Sequence, residues 1–171
     1  MSESSPDAPK GHAGAKSAAR LAAVQALYEM DVAGAMSGPV LGEFLKDRWS
    51  GRVAEEASTE AGAPTEMAAP DSEFLRDLVE GVVARKGEID EMLTAALTGT
   101  WTAERLEVLL RAILRAGVFE LLARSDVPAR VIISEYVDVA HAFFEDTEPG
   151  LVNGVLDTLA KRLRETELTK G

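Results

Sequence analysis

The stretch VPARVIISEYVDVAHAFFEDTEPGLVNGVLD, Val127–Asp157, decides the fold, because its segment VIISEYVDVA is β-branched enough to pass for a strand. Three features make it a helix. The apolar run is longer than an ordinary strand. Asp126 and Pro128 stand where a helix takes a capping side chain and then a proline whose missing N–H costs nothing. Ser134, Glu135 and Asp138 leave Val131, Ile132, Tyr136, Val139, Ala140 and Phe143 as a buried set at helical spacing. A last helix begins near Pro149–Gly150 and buries Val152, Val155, Leu156, Leu159 and Leu163.

The same periodicity runs upstream. Thr102 is a cap for a long helix reaching about Arg124, with Leu106, Leu109, Leu110, Ile113, Val118, Leu121 and Leu122 inward. Glu104, Glu107, Arg111 and Arg115 recur along its other side as a solvated stripe. Asp71 or Ser72 caps a helix with the stripe Phe74, Leu75, Leu78, Val79, Val82 and Val83. Gly87 ends or bends it, and Ile89, Met92, Leu93 and Leu97 form a shorter helix before Gly99. A first helix spans Lys16 to Val32 on the face Leu21, Val24, Tyr28 and Val32, and Lys16 and Arg20, one turn apart, share a side of its first two turns. A short helix is expected from Val40 to about Arg48. The chain is therefore all-α, with no internal repeat.

In domain terms, residues 1–15 read as a disordered Ser/Pro/Gly-rich tail, 16–164 as one helical domain and 165–171 as a C-terminal tail. Within the domain, 49–71 reads as an acidic flexible insertion with Pro64 and Pro70 inside it. Alanine abundance and only 5% aromatic residues suit closely packed helices. The apolar window near the N-terminus is broken by Arg20, Gln25 and Glu29. It forms neither a signal peptide nor a membrane span, and the expectation is a cytoplasmic protein without membrane partners.

A net charge of −11 opposes binding to nucleic acid through phosphate neutralisation alone. The charge is uneven. Residues 53–75 carry six acids and no base, while residues 1–28 carry Lys10, Lys16 and Arg20 against Glu3 and Asp7. An RNA contact would sit near the N-terminus and draw further positive charge from a partner protein.

No catalytic residues emerge. With no cysteine, disulfides, thiolate metal sites and a cysteine nucleophile are excluded. His12 lies in the tail and His141 on a solvated face, without the spacing of a metal pair. No Gly-rich loop follows a strand, so no dinucleotide or phosphate loop is present. Ser134–Glu135, Glu145–Asp146 and Asp157 have no base or oxyanion donor beside them. The expectation is a protein without cofactor, without metal and without enzymatic activity.

Three segments together resemble the NusB family: ARLAAVQALYEMD (Ala19–Asp31), WTAERLEVLLRAILRAGVFEL (Trp101–Leu121) and Val127–Asp157, which ends in LVNGVLD. The likeness covers about Lys16 to Leu163, apart from the acidic insertion. It implies about seven helices in two packed antiparallel bundles. It also implies a transcription antitermination factor that pairs with NusE, a small-subunit ribosomal protein. The pair binds boxA-type RNA and serves RNA polymerase during ribosomal RNA synthesis.

Carried over position by position, the resemblance gives Lys16, Arg20, Thr147, Leu151 and Asn153 as RNA-binding residues, with Lys10 as a helper. Lys16 and Arg20 are all that this chain keeps of the family's arginine-rich opening, and otherwise read as a solvated helix start. Leu151 stands where the family often has phenylalanine, which removes a stacking face worth ~1–3 kcal/mol. Asn153 reads either as a base or phosphate contact or as a cap on its own helix. Gly154 reads as a close-packing position. Tyr28, Glu104 and Arg111 are the partner-binding residues; Tyr28 reads equally as a core aromatic with its hydroxyl at the rim. Two alternatives keep the helices but change the role. One is an acidic scaffold that binds only protein, or a homodimer. The other is the RNA-binding module of a ribosomal RNA methyltransferase, whose Rossmann domain and catalytic cysteines are missing here.

Overall fold

A computed structural model describes residues 10–34, 70–98 and 102–165. Among these are six α-helices and no strand: α1 (Lys10–Ala33), α2 (Ser72–Ala84), α3 (Lys86–Ala96), α4 (Val108–Ala123), α5 (Ala129–Phe143) and α6 (Glu148–Leu163). VIISEYVDVA is helical throughout, inside α5. The helix expected over Val40–Arg48 and most of the acidic insertion lie outside the described residues. No described helix is long and apolar enough to cross a membrane.

The core forms around α4, which is buried without interruption from Ala112 to Leu121. A helix buried on all sides must be covered on all sides, and α4 packs against α1, α2, α3, α5 and α6. Small residues let the neighbours close in. α1 presents Ala18, Ala19, Ala22, Ala23 and Ala26, all buried. At Gly81 of α2 an added Cβ would clash with the edge of the Phe119 ring, and at Gly117 of α4 it would stand 2.9 Å from Leu156 Cδ1. Glycine lets the helices approach closely at both positions, and a side chain at either would require its neighbour to shift.

Charged groups also enter this core. Arg20 of α1 donates to Glu120 of α4 through Nε at 2.6 Å and Nη2 at 3.0 Å, and Tyr136 of α5 donates its hydroxyl to the same carboxylate at 2.7 Å. Arg164 closes the end of α4 by donating to the carbonyls of Leu121, Arg124 and Val127 at 2.8–3.0 Å. Those oxygens have no intrahelical donor, and a buried guanidinium supplies several at once.

Several boundaries differ from the sequence expectation. α1 starts at Lys10 rather than Lys16; Gly11 and Gly14 are absorbed into it, at about 0.5–1 kcal/mol each. The helix expected from Thr102 is two pieces. Ala103–Arg105 form a 3₁₀ turn; extended Leu106 and Glu107 interrupt the path, with Leu106 turned into the core. The α4 cap is Glu107, whose carboxylate accepts from Leu109 N at 3.0 Å, while Thr102 makes no side-chain cap. Asp126 does not cap α5, which begins after Pro128. Its carboxylate is held by Arg124 Nε and Nη2, both at 3.1 Å. Gly87 lies within the first turn of α3, and the break falls at Arg85. Val32, Val83, Val131 and Phe143 were expected on apolar faces but are exposed: Val83 and Val131 lie outside the buried arcs of their helices, and Val32 and Phe143 stand in the last turns of theirs.

Candidate nucleic-acid interface

The basic pair expected at the start of α1 divides into two different environments. Arg20 is 3% exposed and lies in the interior with Glu120. This corrects the expectation that it stands on the surface as an RNA contact: a guanidinium sealed in the core has no face for phosphate. Burial by itself would lower the Arg20 pKa, but the hydrogen bonds and charge of Glu120 outweigh it and raise the pKa above its ordinary value. Arg20 is therefore a charged structural group. Lys16, one turn earlier, is half-buried, with Nζ 5.5 Å from the centroid of the Phe74 ring. Arg20 and Arg124 approach the same ring at 5.1 and 4.9 Å. Ser17 is tied to Glu135 at 2.8 Å.

The other expected RNA contacts gather at the start of α6. Thr147 is exposed at the helix N-terminus without a side-chain cap, and Leu151 and Asn153 are exposed in the turns that follow. Asn153 is the sixth residue of α6, too far along to cap it, so its amide faces outward. Gly154 corrects the close-packing expectation, since an added Cβ there meets nothing within 4 Å.

Lys16 and this turn stand at opposite ends of α4, a helix ~24 Å long. Arg20 marks one end through Glu120, and Leu110 lines a groove with Leu151 at the other. The two candidate contacts therefore stand apart on the fold and do not form one compact patch.

The groove at the α6 end, of about 910 Å³, runs between the first turns of α6 and a wall built from Leu97, Thr98, Arg105, Leu106 and Leu110. Arg105 and Glu148 line it and were not singled out from the sequence. Glu148 had a legible signal as an acid beside a helix-starting proline. Arg105 had none, because a 3₁₀ turn interrupts the helical period.

Of the expected partner residues, Tyr28 is 40% exposed, and Val32, one turn on, is also exposed. Together they form an apolar strip on α1 rather than the rim of the core. Glu104 is exposed on the 3₁₀ turn. Arg111 is corrected: it is not on a solvated stripe. Its Nη2 reaches Asp31 Oδ2 at 3.1 Å, beside Arg115, which holds Asp31 at 3.0 Å and Asp90 at 2.8 Å. Arg111 and Arg115 recur every four residues on the face that meets the end of α1, so Asp31 draws both inward. No group of His, Asp or Glu among the described residues could hold a metal ion.

The comparisons with known proteins agree on one family. The NusB family model matches residues 17–161. The chain is 50% identical over 153 residues to the transcription antitermination protein NusB of Bradyrhizobium sp. (strain BTAi1), covering 90% of this chain and 85% of the relative. It is similar to the T. maritima NusB structure, with a TM-score of 0.67 at 25% identity over 85% of this chain and 89% of that one. A structure of the antitermination factors NusB and NusE in complex with dsRNA contains a chain similar at TM-score 0.61 and 25% identity, over 85% of this chain and 96% of that one.

Proposed function

This chain belongs to the NusB family, and we propose that it binds boxA-type RNA jointly with NusE and so supports ribosomal RNA transcription by RNA polymerase in the cytoplasm. As a NusB it is a transcription antitermination factor and not an enzyme. The observation that carries the RNA and NusE reading is its likeness to a chain in a NusB–NusE–dsRNA complex.

On this reading Lys16 supplies a phosphate contact on α1, and Thr147, Leu151 and Asn153 supply contacts at the start of α6. Tyr28 and Val32 form the apolar strip for NusE, with Glu104 beside the groove. Arg20 and Arg111 act from behind, as positioning residues that fix α1 against α4. The net charge of −11 gives NusE its second role, since a basic partner offsets the repulsion of phosphate. The test compares binding of boxA-type and scrambled RNA with and without purified NusE. An acidic scaffold or a homodimer would bind neither RNA more tightly when NusE is added.

A further inference from the structure

The partner-binding residues stand on two separate pieces of chain. Tyr28 and Val32 are exposed on α1, and Glu104 is exposed on the 3₁₀ turn before α4. That turn does not move as part of α4, because extended Leu106 and Glu107 separate the two. One side chain touches both pieces. Arg111 of α4 donates from Nη2 to Asp31 Oδ2 at 3.1 Å and from Nη1 to the carbonyl of Glu104 at 3.3 Å. Asp31 lies about one turn after Tyr28 and directly before Val32, so its carboxylate marks where the apolar strip stands.

Holding α1 down does not by itself require Arg111. Arg115 donates to the same Asp31 oxygen at 3.0 Å, and Lys86 Nζ stands 3.8 Å from the other oxygen. What Arg111 adds is the reach to the Glu104 carbonyl. That reach leaves Arg111 Nε buried without an acceptor, an unfavourable state for a donor. A lysine would serve Asp31 without burying the extra N–H. A planar guanidinium serves two acceptors at a separation set by its own shape.

We propose that Arg111 is the positioning residue of the partner-binding face: its two-ended bridge sets the spacing between the Tyr28–Val32 strip and Glu104. Spaced in this way, the face receives an apolar side chain on the strip and a neighbouring cation at the exposed Glu104 carboxylate. The proposal rests on the reading of this face as the NusE contact, and adds what keeps its two parts in register.

The test is a pair of double-mutant cycles in the full chain, read as the Kd for purified NusE at fixed salt, with the denaturant midpoint of each variant alongside. Glu104→Ala and Tyr28→Ala each weaken binding by the wild type about fivefold or more. Arg111→Lys keeps a charge for Asp31 but lacks the planar fork that holds both acceptors. It weakens binding about as much as Glu104→Ala and barely moves the midpoint. In that background Glu104→Ala weakens binding further by less than about twofold. Tyr28→Ala keeps its full effect there, because Arg115 and Lys86 still hold Asp31. Should Arg111→Lys fail to fold, Arg111→Gln, which reaches a single acceptor, takes its place. Losses from Arg111→Lys and Glu104→Ala that simply multiply overturn the proposal. Equal shrinkage of the Tyr28 and Glu104 effects with a lowered midpoint means general loosening and overturns it too. If Glu104→Ala, Tyr28→Ala or Arg111→Lys leaves NusE binding unchanged, the face is not assembled in this way and the proposal falls while NusE binding stands. Failure of the wild type to bind NusE overturns the partner reading itself.

Discussion

Arg20 on α1 and Glu120 on α4, 100 residues apart in sequence, form a two-pronged ion pair with side chains only 3% and 0% exposed. The carboxylate also accepts the Tyr136 hydroxyl, so three helices meet on one buried charge. Removing one partner leaves the other charged and uncompensated in the interior, which is far more damaging than losing an exposed pair.

Arg20→Ala is therefore expected to lower unfolding stability by about 3–5 kcal/mol, read as a shift in denaturant midpoint. The triple variant Arg20→Met with Glu120→Leu and Tyr136→Phe should recover most of that loss, because neither a lone charge nor an unpaired hydroxyl remains. A small effect of Arg20→Ala would contradict the structural role.

Charge reversal separates the two basic residues of α1. Lys16→Glu should leave the helical signal and midpoint nearly unchanged while weakening RNA binding and lowering the salt slope by about 1. Arg20→Glu should disrupt folding. Equal behaviour of the two variants would mean that Arg20 reaches the surface after all.

The buried Tyr136 hydroxyl gives a pH signature. Burial, followed by the charge of Glu120, raises its pKa well above the ordinary value of 10.0. The folded state then holds the proton more tightly than the unfolded chain. This contribution is fully present below pH 10.0 and declines as the pH rises beyond it. Tyr136→Phe should start less stable at neutral pH by ~1.5–3 kcal/mol, the worth of a hydrogen bond to a charged group. Its difference from wild type should shrink above pH 10.0. A constant gap across alkaline titration would sink this account.

Packing makes opposite forecasts for two glycines. Gly81→Ala pushes into the Phe119 ring and should cost about 1–3 kcal/mol, with partial relief when Phe119→Leu is added. Gly154→Ala meets nothing within 4 Å and should raise the melting temperature, because alanine is favoured over glycine inside a helix by ~0.5–1 kcal/mol.

The helical period was legible in the residues that face the core, and VIISEYVDVA was resolved as helix by its polar spacing. The destinations of the charges were not legible. Arg20 finds Glu120 from 100 positions away, and Ser17 finds Glu135 from 118. Local spacing carries no record of such pairings, so Arg20 reads as a solvated helix start and Arg111 as part of a solvated stripe, although both are tied down. Thr147, Leu151 and Asn153 followed from the family motif, while Glu148 and Arg105 became visible once α6 and the 3₁₀ turn were placed on one groove.

The most direct test of the central claim is a titration of the chain with boxA-type RNA and a scrambled RNA of equal length, with and without NusE, at one salt concentration. The account predicts weak, poorly discriminating binding by the chain alone. With NusE it predicts tighter binding and a clear preference for the boxA-type sequence. If NusE neither binds the chain nor improves discrimination between the two RNAs, the account is wrong.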